Sequence, residues 1–249
     1  MSFCKDCFVT QRHEGTPTGK IEQIGGVETY IAVPEVDYPK DKAILFLTDV
    51  FGVHYPNNQL LADDFARNGF QVYMPDIFAG DALTEGRFAE PGWSIEQWFP
   101  HHGPAQTRPP IDAVLAALKE RGITAVGATS YCFGSRYAVD LARDNAIQAM
   151  VLTHPSLLKI PDDFQRLLEV SKTPMLINSC ETDSQFPPEA GKTTDELLGG
   201  GKYAPGYERT YWPGCTHGFA VRGDPSVPAI KEGKEGSFKA SVEFFLKYL

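Results

Sequence analysis

The 249-residue chain has no uninterrupted apolar stretch long enough to span a bilayer. Its opening, MSFCKDCF, carries charge where a secretory signal needs an unbroken apolar run. Basic residues are also in short supply. Lys+Arg 23 against Asp+Glu 32 leaves a formal net charge of -9. That balance excludes the basic face that nucleic-acid phosphates require, and it matches an anionic lipid surface poorly. Five cysteines, an odd number spread along the chain, do not make a disulfide framework. There is no repeat at a solenoid period and no low-complexity run. No GxGxxG stands where a helix opens, so no phosphate cradle is assigned. These absences leave a soluble, cytoplasmic, single-domain protein, with no nucleic-acid or membrane partner and no cofactor.

What is present is a regular alternation. Residues 1–20 are polar and interrupted by Gly15, Pro17 and Gly19, and are predicted to form a tail or cap ahead of one domain over 21–249. Ile21–Ile24 and Val27–Val33 flank the Gly25-Gly26 pair and predict a hairpin. Short apolar runs follow at Ala43–Leu47, Phe70–Met74, Ile123–Ala128, Ile147–Leu152, Pro174–Ile177 and Tyr207–Tyr211. Several have no polar face, as expected of strands covered on both sides. Between them lie helix candidates: a stretch capped by Asn57 or Asn58 and running to Ala66, Pro109–Leu118, Glu189–Leu198 and Gly236–Leu249. This order predicts an α/β fold, a mostly parallel sheet flanked by helices on both faces. Residues 80–107, with Trp93, Trp98, Phe99, His101 and His102, read as a long excursion over the mouth of the sheet.

The most informative stretch is AVGATSYCFGSRYAVDLARD, residues 125–144. A strand ends, small residues follow, and an amphipathic helix starts at once. Ser130-Tyr131-Cys132-Phe133-Gly134 has the small-x-nucleophile-x-Gly spacing of a nucleophile elbow, with cysteine at the centre. A sharp turn there lifts Cys132 above the sheet, Gly134 lets the helix approach, and the helix N-terminus favours a thiolate. The bland reading is a buried core cysteine at an ordinary turn. Ser130 and Ser135 flank the elbow without occupying its centre.

A nucleophilic thiol needs a base, and the base needs an orienting acid. His217 follows the last predicted strand in WPGCTHGF, and Asp183 follows TPMLINS. The order nucleophile, acid, histidine is that of the α/β-hydrolase sheet, not of the chymotrypsin or subtilisin designs. Asp76, at another strand end, is the alternative acid. The backbone N–H groups of Phe133 and Val50 are the candidate oxyanion donors. His154 at the end of AMVLTH and Trp98 in the long excursion are candidate substrate contacts. Gly52, Gly134 and Gly218 read as positions of close backbone approach.

With these residues in place, the sequence resembles the dienelactone hydrolase family from about Gly19 to the C-terminus. The resemblance rests on SYCFGS around Cys132, ETDSQFP around Asp183, THGF around His217, LTDVFGV at 47–53 and YMPDIFAGD at 73–81. The leading piece with Cys4, Cys7 and HEGTPTG is similar to intracellular fungal members. The resemblance implies an α/β-hydrolase fold and hydrolysis of small-molecule ester or lactone bonds. It also implies that Asp49, where founding members carry glutamate, modulates the thiol. Those members clamp a substrate carboxylate with arginines. One such position here is Ala79-Gly80-Asp81, and Arg222 is the nearby candidate for the other.

The remaining cysteines suggest less. Cys4 and Cys7 form a CxxC followed by His13, but no second CxxC completes a zinc site, so no metal is assigned. Cys180 and Cys215 lie close in sequence to Asp183 and His217 and could approach each other. Two other readings stay open: a catalytically quiet hydrolase-fold protein that binds a small molecule or a partner, and a redox-responsive thiol protein.

Overall fold

A computed structural model of the chain describes residues 13–84, 86–87 and 90–249. Among the described residues, eight strands form one sheet: β1 (Lys20–Ile24), β2 (Val27–Ala32), β3 (Lys42–Leu47), β4 (Val72–Pro75), β5 (Ala125–Tyr131), β6 (Ala149–Thr153), β7 (Met175–Thr182) and β8 (Tyr207–Thr216). Their order across the sheet is β1-β2-β4-β3-β5-β6-β7-β8. The β1–β2 and β2–β4 pairs are antiparallel, and every pair from β4 to β8 is parallel. The predicted hairpin is present. Gly25 and Gly26 turn it with φ +59° and +80°, a left-handed pair that side chains rarely adopt.

The helices are α1 (Pro56–Arg67), α2 (Ile95–Trp98), α3 (Pro104–Glu120), α4 (Ser135–Arg143), α5 (Asp162–Val170), α6 (Pro188–Leu198), α7 (Phe219–Arg222) and α8 (Pro228–Tyr248). They cover both faces because strand side chains alternate. Ala43, Leu45 and Leu47 join a core with Ile111 and Val114 of α3, Leu141 of α4 and Phe164 of α5. Ile44 and Phe46 join another with Leu61 and Phe65 of α1, and with Val242 and Phe245 of α8. None of the described helices is long and apolar enough to cross a membrane.

Three helices differ from the sequence expectation in informative ways. Helix α1 is entered through Tyr55 and Pro56, not through an asparagine cap. Asn57 and Asn58 lie inside it, buried, donating instead to the Val221 carbonyl and to Asp49 and the Gly52 carbonyl. Helix α5 has no counterpart in the predicted set, since only Phe164 and Leu167 of its nine residues are buried. Helix α8 begins eight residues before the predicted start. Its glycines mark close packing, not a break: a Cβ at Gly236 would overlap the Trp212 ring, and one at Gly233 would overlap the Cys215 sulfur.

The described part of the leading segment packs on the domain. The His13 N–H donates to Asn57 Oδ1 at 2.9 Å, and Nε2 donates to the Gly223 carbonyl at 3.0 Å. Lys234 Nζ donates to His13 Nδ1 at 2.9 Å. Burial pulls the Lys234 pKa down to about 8. Cys4 and Cys7 lie outside the described residues.

The Phe245 side chain is fully buried between Phe65 and Phe70. Phe245→Ala is expected to lower the unfolding free energy by about 3–5 kcal/mol, measured by urea denaturation.

Candidate active site

The parallel strands carry the chain from β3 to β4 in one direction and from β5 to β8 in the other. The crevice at their carboxyl ends beside β3 and β5 is therefore a topological switch point, where ligands bind in open sheets of this kind. The loops after β3, β5, β6, β7 and β8 meet there.

The β5 loop is the elbow. Cys132 has φ +48°, a left-handed conformation that a non-glycine residue holds only when its surroundings enforce it. The enforcement comes from Gly134. Its N–H donates to the Thr48 carbonyl at 3.0 Å, and a Cβ there would stand 2.6 Å from the Leu47 carbonyl carbon. A one-turn 3-10 segment, Cys132–Gly134, then leads into α4. Ser130, the small residue that opens the elbow, directs its hydroxyl to the Val151 carbonyl at 2.9 Å and approaches Ser135 Oγ at 3.2 Å. The serine therefore fits by bonding β6.

The β8 loop supplies His217, whose N–H donates to the Thr182 carbonyl at 2.9 Å. Its ring is buried, with Nδ1 donating to Asp183 Oδ2 at 2.8 Å. Asp183 Oδ1 in turn accepts the backbone N–H groups of Gln185 at 2.8 Å and Phe186 at 3.1 Å. The carboxylate is fixed from behind, and Nε2 is left facing Cys132, to which it is hydrogen-bonded. Burial by itself lowers the His217 pKa. The Cys132 sulfur and then the Asp183 carboxylate outweigh it and lift the pKa to about 10. Such coupling is reciprocal, so the imidazolium favours the thiolate as the thiolate favours the imidazolium. Ser156, in the β6 loop, places its hydroxyl 3.3 Å from Cys132 Sγ and 3.5 Å from His217 Nε2.

The β3 loop supplies Asp49 and Val50. Asp49 is fully buried and faces Arg222 Nε at 3.1 Å. Its Oδ1 accepts the Phe51 N–H and the Asn58 amide, each at 3.1 Å. Burial raises the Asp49 pKa despite the guanidinium, and the Cys132 sulfur raises it further. The aspartate thus lies within electrostatic reach of the thiol.

A narrow cavity of about 30 Å³ opens beside Cys132, lined by Val50, Ile95, Phe99, Phe133, Ser156, Leu157 and Gln185. The remaining sequence candidates lie behind this lining. Trp98 is buried, its indole donating to the Asp81 carbonyl at 2.7 Å and its ring stacked on His102 at 3.9 Å. It braces Phe99 and Phe133, and the exposed wall belongs to its neighbours. His154 is fully buried with its ring centroid 5.0 Å from that of His217, and neither ring nitrogen has a hydrogen-bond partner among the described residues. Burial, reinforced by His217 and Arg222, holds it well below the ordinary histidine range, so it stays neutral. Arg222 is buried against Asp49 and stacks near the Phe51 ring.

Asp76 accepts the N–H groups of Phe78 at 2.9 Å and Gly80 at 2.6 Å, whereas Asp183 holds His217. Cys180 and Cys215 are free thiols with separate partners. The first lies 3.9 Å from Asp183 Oδ2, and the second donates to the Ala229 carbonyl at 3.3 Å. A larger cleft, about 730 Å³, lies elsewhere, between β2 and α3, and its walls include Glu28, Asp76 and His101 without the thiol–imidazole pair. Chemistry, not size, singles out the smaller cavity. Ser156, Gln185, Leu157 and Ile95 were not singled out by sequence. The one usable signal for Ser156 was its place just past β6, on the rim that also carries Asp183 and His217.

An α/β sheet of this strand order, with a cysteine in the elbow after β5, an acid after β7 and a histidine after β8, defines the class of α/β hydrolases. Comparison with known proteins narrows it. The dienelactone hydrolase family model matches residues 27–249. "Hydrolase pyvD" of Aspergillus violaceofuscus is 33% identical over 244 residues, covering 98% of this chain and 96% of its own. "Dienlactone hydrolase 1" of Gibberella moniliformis is 29% identical over 245 residues, covering 96% and 91%. The crystal structure of dienelactone hydrolase from Anabaena variabilis superposes with a TM-score of 0.64 at 15% identity, covering 94% of this chain and 100% of that one, which is a likeness of fold. The chain belongs to the dienelactone hydrolase family and is a hydrolase of ester or lactone bonds.

The coupling of sulfur and imidazole is open to direct measurement. His217→Gln removes the cation beside Cys132, and alkylation of Cys132 by iodoacetamide at pH 7, followed by intact mass, is expected to slow at least about ten-fold.

Proposed function

We propose that this protein hydrolyses small, uncharged esters or lactones through a thioester on Cys132. The observation that carries the reading is the continuous chain of contacts from the Cys132 sulfur through His217 to Asp183, at the mouth of an apolar cavity. In the first half-reaction the Cys132 thiolate attacks the carbonyl carbon, and the carbonyl electron pair moves to oxygen. The backbone N–H groups of Phe133 and Val50, both on the cavity wall, are the proposed donors to that oxyanion. Collapse expels the alcohol, which takes the proton from His217 Nε2. In the second, neutral His217 removes a proton from water, water attacks the thioester, and the thiolate leaves with the acid released. Asp183 holds the ring in one tautomer throughout. Asp49 is the proposed modulator of the thiol, acting through the charge it shares with Arg222.

The substrate class follows from the lining. Ser156 and Gln185 are its polar side chains other than the thiol, and neither is cationic. Arg222, the one arginine the sequence offered as a clamp, is buried against Asp49. A substrate carboxylate entering this cavity would lose its water without gaining a counter-charge, a cost of several kcal/mol. The cavity holds about one water-sized volume, so room for an acyl group requires the Ile95, Phe99 and Leu157 side chains to part.

Two outcomes are expected. Cys132→Ala abolishes turnover of short aryl esters while leaving the melting curve largely unchanged; retained esterase activity would exclude Cys132 as the nucleophile. In wild-type protein, kcat/KM for a neutral aryl butyrate exceeds that for the matching anionic aryl hemisuccinate by at least about ten-fold. Equal rates would remove the argument from the uncharged lining.

A further inference from the structure

We propose that Ser156 is a further catalytic residue, its hydroxyl bridging the Cys132 sulfur and His217 Nε2 and donating to the thiolate both when it attacks and when it leaves. The inference rests on the reading of Cys132 as the nucleophile.

Three observations support it. The first is the contact itself: Ser156 Oγ lies 3.3 Å from Cys132 Sγ and 3.5 Å from His217 Nε2. A hydroxyl has one hydrogen to donate and two lone pairs to accept with. Nδ1 of His217 is committed to Asp183, so when the ring is protonated its other N–H, on Nε2, faces Ser156 and Cys132. That leaves the serine hydrogen for the sulfur.

The second is how the side chain is held. Residues 154 to 157 leave the end of β6 through two non-glycine residues with left-handed backbone, His154 at φ +40° and Leu157 at φ +62°. Such conformations persist only when the surroundings over-determine them, and they gather at functional sites. Between them, the Ser156 N–H donates to the Cys132 carbonyl at 3.1 Å. The serine is therefore pinned to the elbow by its own backbone, with its side chain turned to the sulfur. The third is its place on the wall of the same cavity as Cys132, where an acyl group must sit. Ser130, the nearby alternative hydroxyl, is committed to the Val151 carbonyl.

The chemistry assigns the hydroxyl two moments. Before attack it donates to the thiolate, beside the imidazolium. As the C–S bond forms, the sulfur loses its charge and the hydrogen bond weakens. The alcohol then leaves with the proton from Nε2. When water adds to the thioester, its proton passes to Nε2, the C–S bond breaks, and its electron pair returns to sulfur. Ser156 again donates to that developing thiolate. The leaving step is where the contact is stronger in the transition state than before it, so removing the hydroxyl slows deacylation most.

The test compares Ser156→Ala with wild type. Iodoacetamide labelling of Cys132 is followed against pH by intact mass, and aryl-ester turnover is followed from the first milliseconds. Expected are a labelling profile displaced about one unit to higher pH, a steady-state kcat reduced roughly ten-fold, and a burst of released phenol that exceeds the wild-type burst. Should alanine lower the melting temperature, Ser156→Thr and Ser156→Val, equal in shape and different in the hydroxyl, isolate the effect. Threonine is expected to keep the wild-type labelling profile and valine to shift it. Labelling and turnover unchanged in the alanine and valine variants would overturn the proposal. So would a loss of activity with an unchanged labelling profile and no burst, which would mark a structural role. Failure of the underlying reading is seen separately, as activity retained in Cys132→Ala.

Discussion

Where helix α4 meets strand β3, the backbone of Gly134 lies so close to the Leu47 carbonyl that no side chain fits between them. The rest of the site depends on that approach. It lets the chain reverse within a few residues of the end of β5, and the reversal places Cys132 at a left-handed φ above the sheet. The bond from the Gly134 N–H to the Thr48 carbonyl joins the elbow to the loop that carries Asp49 and Val50. A second bond, from the Ser156 N–H to the Cys132 carbonyl, joins it to the loop after β6. Three loops far apart in sequence thus share one strained turn, and strain of this kind is kept only where the surrounding packing leaves no alternative.

The second organising fact is the concentration of charge beneath an apolar mouth. Buried ions are tolerated when they are paired and hydrogen-bonded. The site pairs its charges on two sides, with the Cys132–His217–Asp183 series on one and the Asp49–Arg222 ion pair on the other. The Asn58 amide and the Phe51 N–H bond Asp49 Oδ1, and the backbone amides of Gln185 and Phe186 bond Asp183 Oδ1. His154 lies among these groups and stays neutral because it is fully buried, and because a further cation there would meet both His217 and Arg222. The pairing of Arg222 has a consequence for recognition. A guanidinium engaged below the cavity floor is not on its wall, and the wall that remains is apolar apart from Ser156, Gln185 and the thiol.

Much of this is legible in the amino-acid sequence. The apolar runs located the strands, Gly25-Gly26 the hairpin, and the spacing around Cys132 the elbow. Cys132, Asp183 and His217 stand in chain order on this sheet, each following a strand whose carboxyl end faces the same crevice. Other features were not legible, each for a physical reason. Asn57 and Asn58 carry the composition of a helix cap, yet they serve partners 164 residues away at Val221 and nine away at Asp49. Gly233 and Gly236 resemble helix breaks, yet α8 runs through them, because contact with Cys215 and Trp212 there outweighs the local preference. Trp98, His154 and Arg222 stood in the right loops but turn their side chains beneath the cavity lining.

The division between the two kinds of information follows from their range. Period, turn chemistry and the order of motifs are local, and they determined the α/β class, the elbow and which thiol, carboxylate and histidine are its candidates. Side-chain direction and burial depend on what the fold brings from elsewhere. Only the tertiary structure decided that Arg222 is spent on Asp49, that Ile95 and Phe99 close the cavity, and that a serine from the loop after β6 reaches both the sulfur and the imidazole.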